Sequence, residues 1–262
     1  MFKDKTIVGV GCSHVYGVFL NENHWDQRES CWNRSWIKKL ENLTEADKSI
    51  NLGLPGSSNT RSLRVIRNFV LENLNSKENF VIFFGITEIA RLELPIQKDI
   101  LTTFDGAIPR DDSFNSEGKD YELLTPGPFS IIEKFGIRNR THKTFVEYLE
   151  EYYGKFYADE YEIEKLNLDL ISLHLFLTSF EIEHYFVTML GYEGLFEKNP
   201  FRKKLPLFTF DGGDAITYAR ELGYKVGFDY DPSIYCHHLD DDGNQFLAET
   251  ILDKVKQWIT KI

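Results

Sequence analysis

Thr6-Ile7-Val8-Gly9-Val10-Gly11-Cys12-Ser13-His14-Val15-Tyr16-Gly17 is the stretch from which the rest of the chain can be read. Its first five residues form a β-rich apolar run, long enough for one buried strand, so the glycines and Ser13 fall at the C-terminal end of that strand. Open α/β sheets bind their ligands at that end. A serine on a tight, glycine-bearing turn can expose its hydroxyl above the sheet, and the helix start that follows offers backbone donors to an anion. Ser13 is therefore the candidate nucleophile. Glycine beside a small polar residue is also ordinary turn chemistry, so the meaning of the stretch depends on what the remaining strands bring to the same edge.

Two more segments repeat the pattern. Ser49-Ile50-Asn51-Leu52 is a short strand that ends in Gly53-Leu54-Pro55-Gly56-Ser57-Ser58, with Asn59 placed to cap a helix that turns Leu63, Ile66, Phe69, Val70 and Leu74 inward. Phe80-Val81-Ile82-Phe83-Phe84 is apolar at every position, as a central parallel strand covered on both faces must be. It runs into Gly85-Ile86-Thr87-Glu88, so three strands deliver glycine and small polar groups to one edge. Glu88 and Arg91 stand three apart and suit a local ion pair. A fourth strand is expected over His184–Leu190.

Helical periodicity covers Trp36 to Leu43, His142 to Tyr153, and about Tyr157 to Phe180. In the last of these Leu168, Ile171 and Leu175 extend the apolar face most of the way round, which predicts a buried helix. A short helix should open at Asp214, and a final one should run from Gly243 to Ile262 with Leu247, Ile251 and Val255 on the core side. Residues of about 95–140 are too long and irregular for a tight crossover and read as a cap over the cleft; about 193–210 reads as a second insertion. The loop from His24 to Trp32 either lines the cleft or, as large aromatic residues more often do, caps the core. The expected architecture is a single α/β domain over 1–262, a three-layer α/β/α sandwich on a mostly parallel sheet of about five strands.

Composition narrows the partners. The net charge of −11, from 41 acidic and 30 basic residues, argues against non-specific binding to a nucleic-acid backbone. Cys12, Cys31 and Cys236 are too few and too scattered for a disulfide scaffold or a zinc motif. No signal peptide or membrane span is read in the sequence, so a cytoplasmic setting without membrane contact is expected.

Near the C-terminus lies Tyr235-Cys236-His237-His238-Leu239-Asp240-Asp241-Asp242-Gly243. Adjacent histidines do not easily share one metal ion from a strand end, and the carboxylates lack ligand spacing, so no metal is expected. A histidine just before a helix is better suited to taking the proton of a serine hydroxyl.

These pieces, in this order, resemble the SGNH (GDSL-like) hydrolases, serine esterases on a flavodoxin-like α/β/α sandwich. Gly11-Cys12-Ser13 with Tyr16 and Gly17 is similar to the family's first block, and Asn51 with Gly56 to its second. Gly85-Ile86-Thr87-Glu88 corresponds to the third, and His238 through Gly243 to the last. Cys12 stands where the family has an aspartate, Thr87 where it has the oxyanion asparagine, and Tyr235 in the place of the triad acid. The Thr-Glu pair and the Ser57-Ser58-Asn59 run look like members carried by tailed phages, which leaves association with a virion open. The resemblance implies Ser13 as nucleophile, His238 as general base and then acid, and Gly56 and Thr87 at the oxyanion. No cofactor is implied. Asp231 is the first choice to orient His238, ahead of Asp229, with a backbone carbonyl as the alternative that leaves a Ser-His dyad. The expected substrate is a small-molecule or glycan ester, deacylated, with acetate as the acyl group in mind. The alternative is a binding or structural protein that keeps the scaffold without the activity.

Overall fold

The computed structural model describes residues 1–17, 28–76, 78–97, 121–124, 147–190, 202–211, 213–226 and 238–261. Among the described residues five strands form one all-parallel sheet: β1 (Thr6–Val10), β2 (Lys48–Asn51), β3 (Phe80–Ile86), β6 (Glu183–Thr188) and β7 (Leu207–Phe208), in the order β2-β1-β3-β6-β7. Numbered within the sheet this is 2-1-3-4-5, the flavodoxin-like order, in which the switch point falls between β1 and β3. A separate antiparallel pair joins β4 (Leu94–Gln97) to β5 (Tyr121–Leu124). The fifth strand of the sheet, β7, lies inside the span read as a second insertion and is two residues long. The rest of that span, and most of the expected cap at 95–140, fall outside the described residues.

The period of two along each strand divides the core into two layers. Ile7, Phe83, Tyr185 and Val187 face α3 (Trp36–Thr44), α6 (Ala215–Glu221) and α7 (Asp241–Ile259), where Trp36, Ile37, Leu40, Ile216, Leu247, Ile251 and Val255 are buried. Val8, Val10, Ile82, Phe84 and Phe186 face the other way, onto α4 (Asn59–Glu72) and α5 (Asp159–Ser179) through Leu63, Ile66, Leu170, Leu173 and Leu177. This double cover is why β3 is apolar throughout.

Helix boundaries follow local capping chemistry. Ser58, rather than Asn59, is the N-cap of α4, its hydroxyl accepting from Arg61 N–H at 3.1 Å. Asp240 caps α7 by accepting from Gly243 N–H at 2.8 Å, so this helix opens at Asp241, two residues before the predicted Gly243. The fourth predicted strand is confirmed with its bounds moved to Glu183–Thr188. The expectation of a buried helix over about 157–180, with Leu168 and Leu175 in its apolar face, is not met: those two are 62% and 63% exposed, because only the stripe Leu166-Leu170-Leu173-Leu177 meets the sheet layer.

One partly buried polar contact joins this layer to the sheet. His174 Nδ1 of α5 lies 2.8 Å from His184 Nε2 of β6, and His184 Nδ1 lies 2.7 Å from Ile182 O. A carbonyl can only accept, so His184 carries its proton on Nδ1 and its Nε2 accepts from His174.

Candidate active site

The C-terminal ends of β1 and β3 come together at the switch point more closely than side chains would allow. A Cβ on Gly11 would stand 2.7 Å from Gly85 O, and one on Gly85 would stand 2.5 Å from Val15 Cγ2. The two glycines let the strand ends approach closely at the edge that both strands leave by, Ser13 following Gly11 by two residues and Thr87 following Gly85 by two.

Ser13 is the first residue of α1 (Ser13–Tyr16), a single turn stopped by Gly17 in the left-handed conformation at φ 91°. The Gly17 N–H donates to Ser13 O at 3.0 Å, closing the turn under the serine. Asn51 at the end of β2 ties this turn to the next strand: its Nδ2 donates to Tyr16 O at 3.2 Å while its Oδ1 accepts from Gly53 N–H at 2.9 Å. Cys12 is fully buried, which fits a packing role.

Leu54-Pro55-Gly56-Ser57 forms the tight turn after β2. Its closing bond runs from Ser57 N–H to Leu54 O at 3.0 Å, and Gly56 has φ 78°. Proline second and a positive-φ glycine third is the signature of a type II turn. The turn's own bond uses Ser57 N–H, leaving the Gly56 amide uncommitted to it. Leu54 N–H donates to Gly11 O at 3.0 Å, which holds this turn beside the end of β1.

His238 arrives from the far end of the chain. Leu239 pairs with Val226 in an isolated bridge, and Asp240 N–H donates to Lys225 O at 3.2 Å. Asn244 Nδ2 donates back to Leu239 O at 3.1 Å and Asp240 O at 2.9 Å. The histidine is thereby held at the start of α7, with its Nε2 2.6 Å from Ser13 Oγ. The structure thus brings together the two residues that the sequence proposes as nucleophile and base. The ring of His14 packs against that of His238 at 4.6 Å and 38°; His14 is buried, and only its place beside Ser13 could have pointed to it.

Thr87 is 1% exposed, and its Oγ1 has no hydrogen-bond partner. A buried hydroxyl left unpaired costs about 1–3 kcal/mol. Glu88 and Arg91 form the expected pair, with Arg91 Nε donating to Glu88 Oε2 at 2.9 Å. Asp229, Asp231, Tyr235, Cys236 and His237 lie outside the described residues. Among the described residues, no group of three or more His, Cys, Asp or Glu side chains could hold a metal ion, and no helix is long and apolar enough to cross a membrane.

No family model matches this sequence, and no curated protein does. Among solved structures the chain is similar to the psychrotrophic esterase EstA from Pseudoalteromonas sp., in a crystal structure inhibited by monoethylphosphonate. The two share 10% identity and a TM-score of 0.45, over 98% of this chain and all of that one.

Proposed function

We propose that the protein is a serine esterase of the SGNH type, and that Ser13 and His238 carry the reaction. The observation behind this reading is the 2.6 Å contact between Ser13 Oγ and His238 Nε2, made at the switch point of a parallel α/β sheet. His238 Nε2 takes the hydroxyl proton as Oγ attacks the ester carbonyl, and returns it to the departing alkoxide; water then hydrolyses the acyl-serine by the same route in reverse. The negative charge on the carbonyl oxygen is met by the backbone amides of Ser13 and Gly56 and by the unpaired hydroxyl of Thr87. The buried, unpartnered hydroxyl of Thr87, two residues beyond the Gly85 that packs against the Ser13 turn, supports this, since such a donor gains an acceptor when an oxyanion forms beside it. Asp231 orients His238 through its other nitrogen, and the substrate is a polar ester, a glycan acetate or similar small molecule.

Fluorophosphonate labelling followed by intact and peptide mass measurement tests the reading. The expected result is one adduct at Ser13 that Ser13→Ala and His238→Ala both abolish and His237→Ala retains. An unlabelled wild-type protein would refute it and leave the scaffold to a binding role. Asp231→Asn at wild-type rate would remove the acid and leave a Ser-His dyad.

A further inference from the structure

Two side chains in the first turn of α4 grip the backbone on either side of the proposed oxyanion position. Asn59 Nδ2 donates to Thr87 O at 2.9 Å, and Asn59 Oδ1 accepts from Thr87 N–H at 2.9 Å. One carboxamide therefore satisfies both backbone groups of a residue that has just left the β3 ladder, and both residues are buried. With its backbone fixed in this way, Thr87 has only its hydroxyl left to offer a ligand. Two residues further along the helix, Arg61 is fully buried. Its Nη1 donates to Leu52 O at 3.1 Å and reaches Ser57 Oγ at 3.5 Å, so the guanidinium grips both ends of the loop that presents Gly56.

A buried guanidinium is a poor source of net stability, because desolvation offsets much of what its contacts return. What it holds is the better account of its presence. Asn59 and Arg61 sit in one rigid turn, yet they fix loops that follow different strands, β3 and β2. The spacing between the Thr87 hydroxyl and the Gly56 amide is thus set by α4 rather than by either loop.

We infer that Asn59 and Arg61 are positioning residues of the oxyanion site, Asn59 acting through Thr87 and Arg61 through the Gly56 turn. This rests on the serine esterase reading above. A misplacement of about 1 Å can cost about 10²-fold in rate, and loss of one oxyanion donor about 10²–10³-fold. Substituting either residue should therefore lower kcat far more than it changes KM.

The test measures kcat and KM for 4-nitrophenyl acetate, fluorophosphonate labelling rates and Tm in wild type, Asn59→Ala, Asn59→Asp, Arg61→Lys, Thr87→Val and two double variants. Asn59→Ala and Thr87→Val are each expected to lower kcat by about 10²-fold with KM little changed. Combined, they should cost no more than the worse single change, because they remove the same donor. Asn59→Asp keeps the acceptor for Thr87 N–H but sets a carboxylate oxygen against Thr87 O and a negative charge beside the oxyanion position, so it should be no faster than Asn59→Ala. Arg61→Lys acts on the other donor, so its loss should multiply with that of Thr87→Val. Wild-type kcat in Asn59→Ala, losses that multiply between Asn59→Ala and Thr87→Val, or a Thr87→Val protein of wild-type rate would overturn the inference while the esterase reading stands. A wild-type protein that neither labels nor turns over the ester would overturn both.

Discussion

Lowering the pH should weaken the fold through His184 within a defined window. Burial pushes the His184 imidazole down to about 4 from 6.5, and burial lowers His174 as well. His184 spends both ring nitrogens on fixed contacts: Nδ1 donates to Ile182 O, and Nε2 accepts from His174. A proton added at Nε2 would remove that acceptor and leave a charge between α5 and β6. Below pH 6.5 the unfolded chain binds a proton that the folded chain refuses, so stability falls as pH drops from 6.5 to about 4, and is flat above. A fall from 6.5 to about 4, at about 1.36 kcal/mol for each pH unit, amounts to about 3 kcal/mol. The perturbation that isolates this is His184→Gln, which keeps an acceptor but does not titrate. Urea unfolding of wild type and variant at pH 7.5, 6, 5 and 4, with the slope checked for constancy, gives the difference in stability at each pH. Titration of carboxylates common to both proteins cancels. The gap between wild type and His184→Gln should shift against the wild type by about 3 kcal/mol across the window. A gap that stays constant from pH 7.5 to 4 would refute the argument.

Three further outcomes follow from the packing. Leu173→Ala, at a fully buried position of α5 against the sheet, should cost about 2–5 kcal/mol in urea unfolding without changing fluorophosphonate labelling at pH 7. Gly85→Ala would place a methyl 2.5 Å from Val15 Cγ2 and 2.9 Å from Met189 Cγ; about 1–3 kcal/mol of overpacking is expected, with slower labelling because Val15 lies in the turn that carries Ser13. Asp240→Ala removes the N-cap of α7 and should cost about 1 kcal/mol, read as a lower Tm.

The parts of the fold legible in the sequence are those where burial dictates composition. Phe80-Val81-Ile82-Phe83-Phe84 needs no partner information to be read as a central strand, and three glycine-rich ends place the site at one edge. β7 escaped because two residues carry no period, and Leu207–Phe208 becomes a strand only when Phe186 N–H donates to Pro206 O beside it. The apolar surplus of α5 misled for a related reason: composition shows which residues can be buried, whereas the single sheet layer determines which ones are. Ser13 is legible as a candidate from the glycine turn that follows β1, and His238 from the spacing to Gly243 that the family resemblance supplies. Asn59 was readable only as a cap, since a polar residue opening a helix looks the same whether its amide turns to its own helix or to the end of a neighbouring strand. Arg61 offered no signal, because sequence does not show that an arginine is buried.

The Ser13–His238 contact spans 225 positions of the chain, joining the first strand-to-helix turn to the start of the last helix. Contacts of such sequence separation are paid for in loop-closure entropy and form late. On the proposed reading, a chain in which this contact has not yet formed holds the candidate nucleophile Ser13 without its proposed base. On that reading labelling of Ser13 works as a clock for one long-range closure: a helix or a strand can form at any stage, but the probe is expected to react at its full rate only once Ser13 and His238 have met.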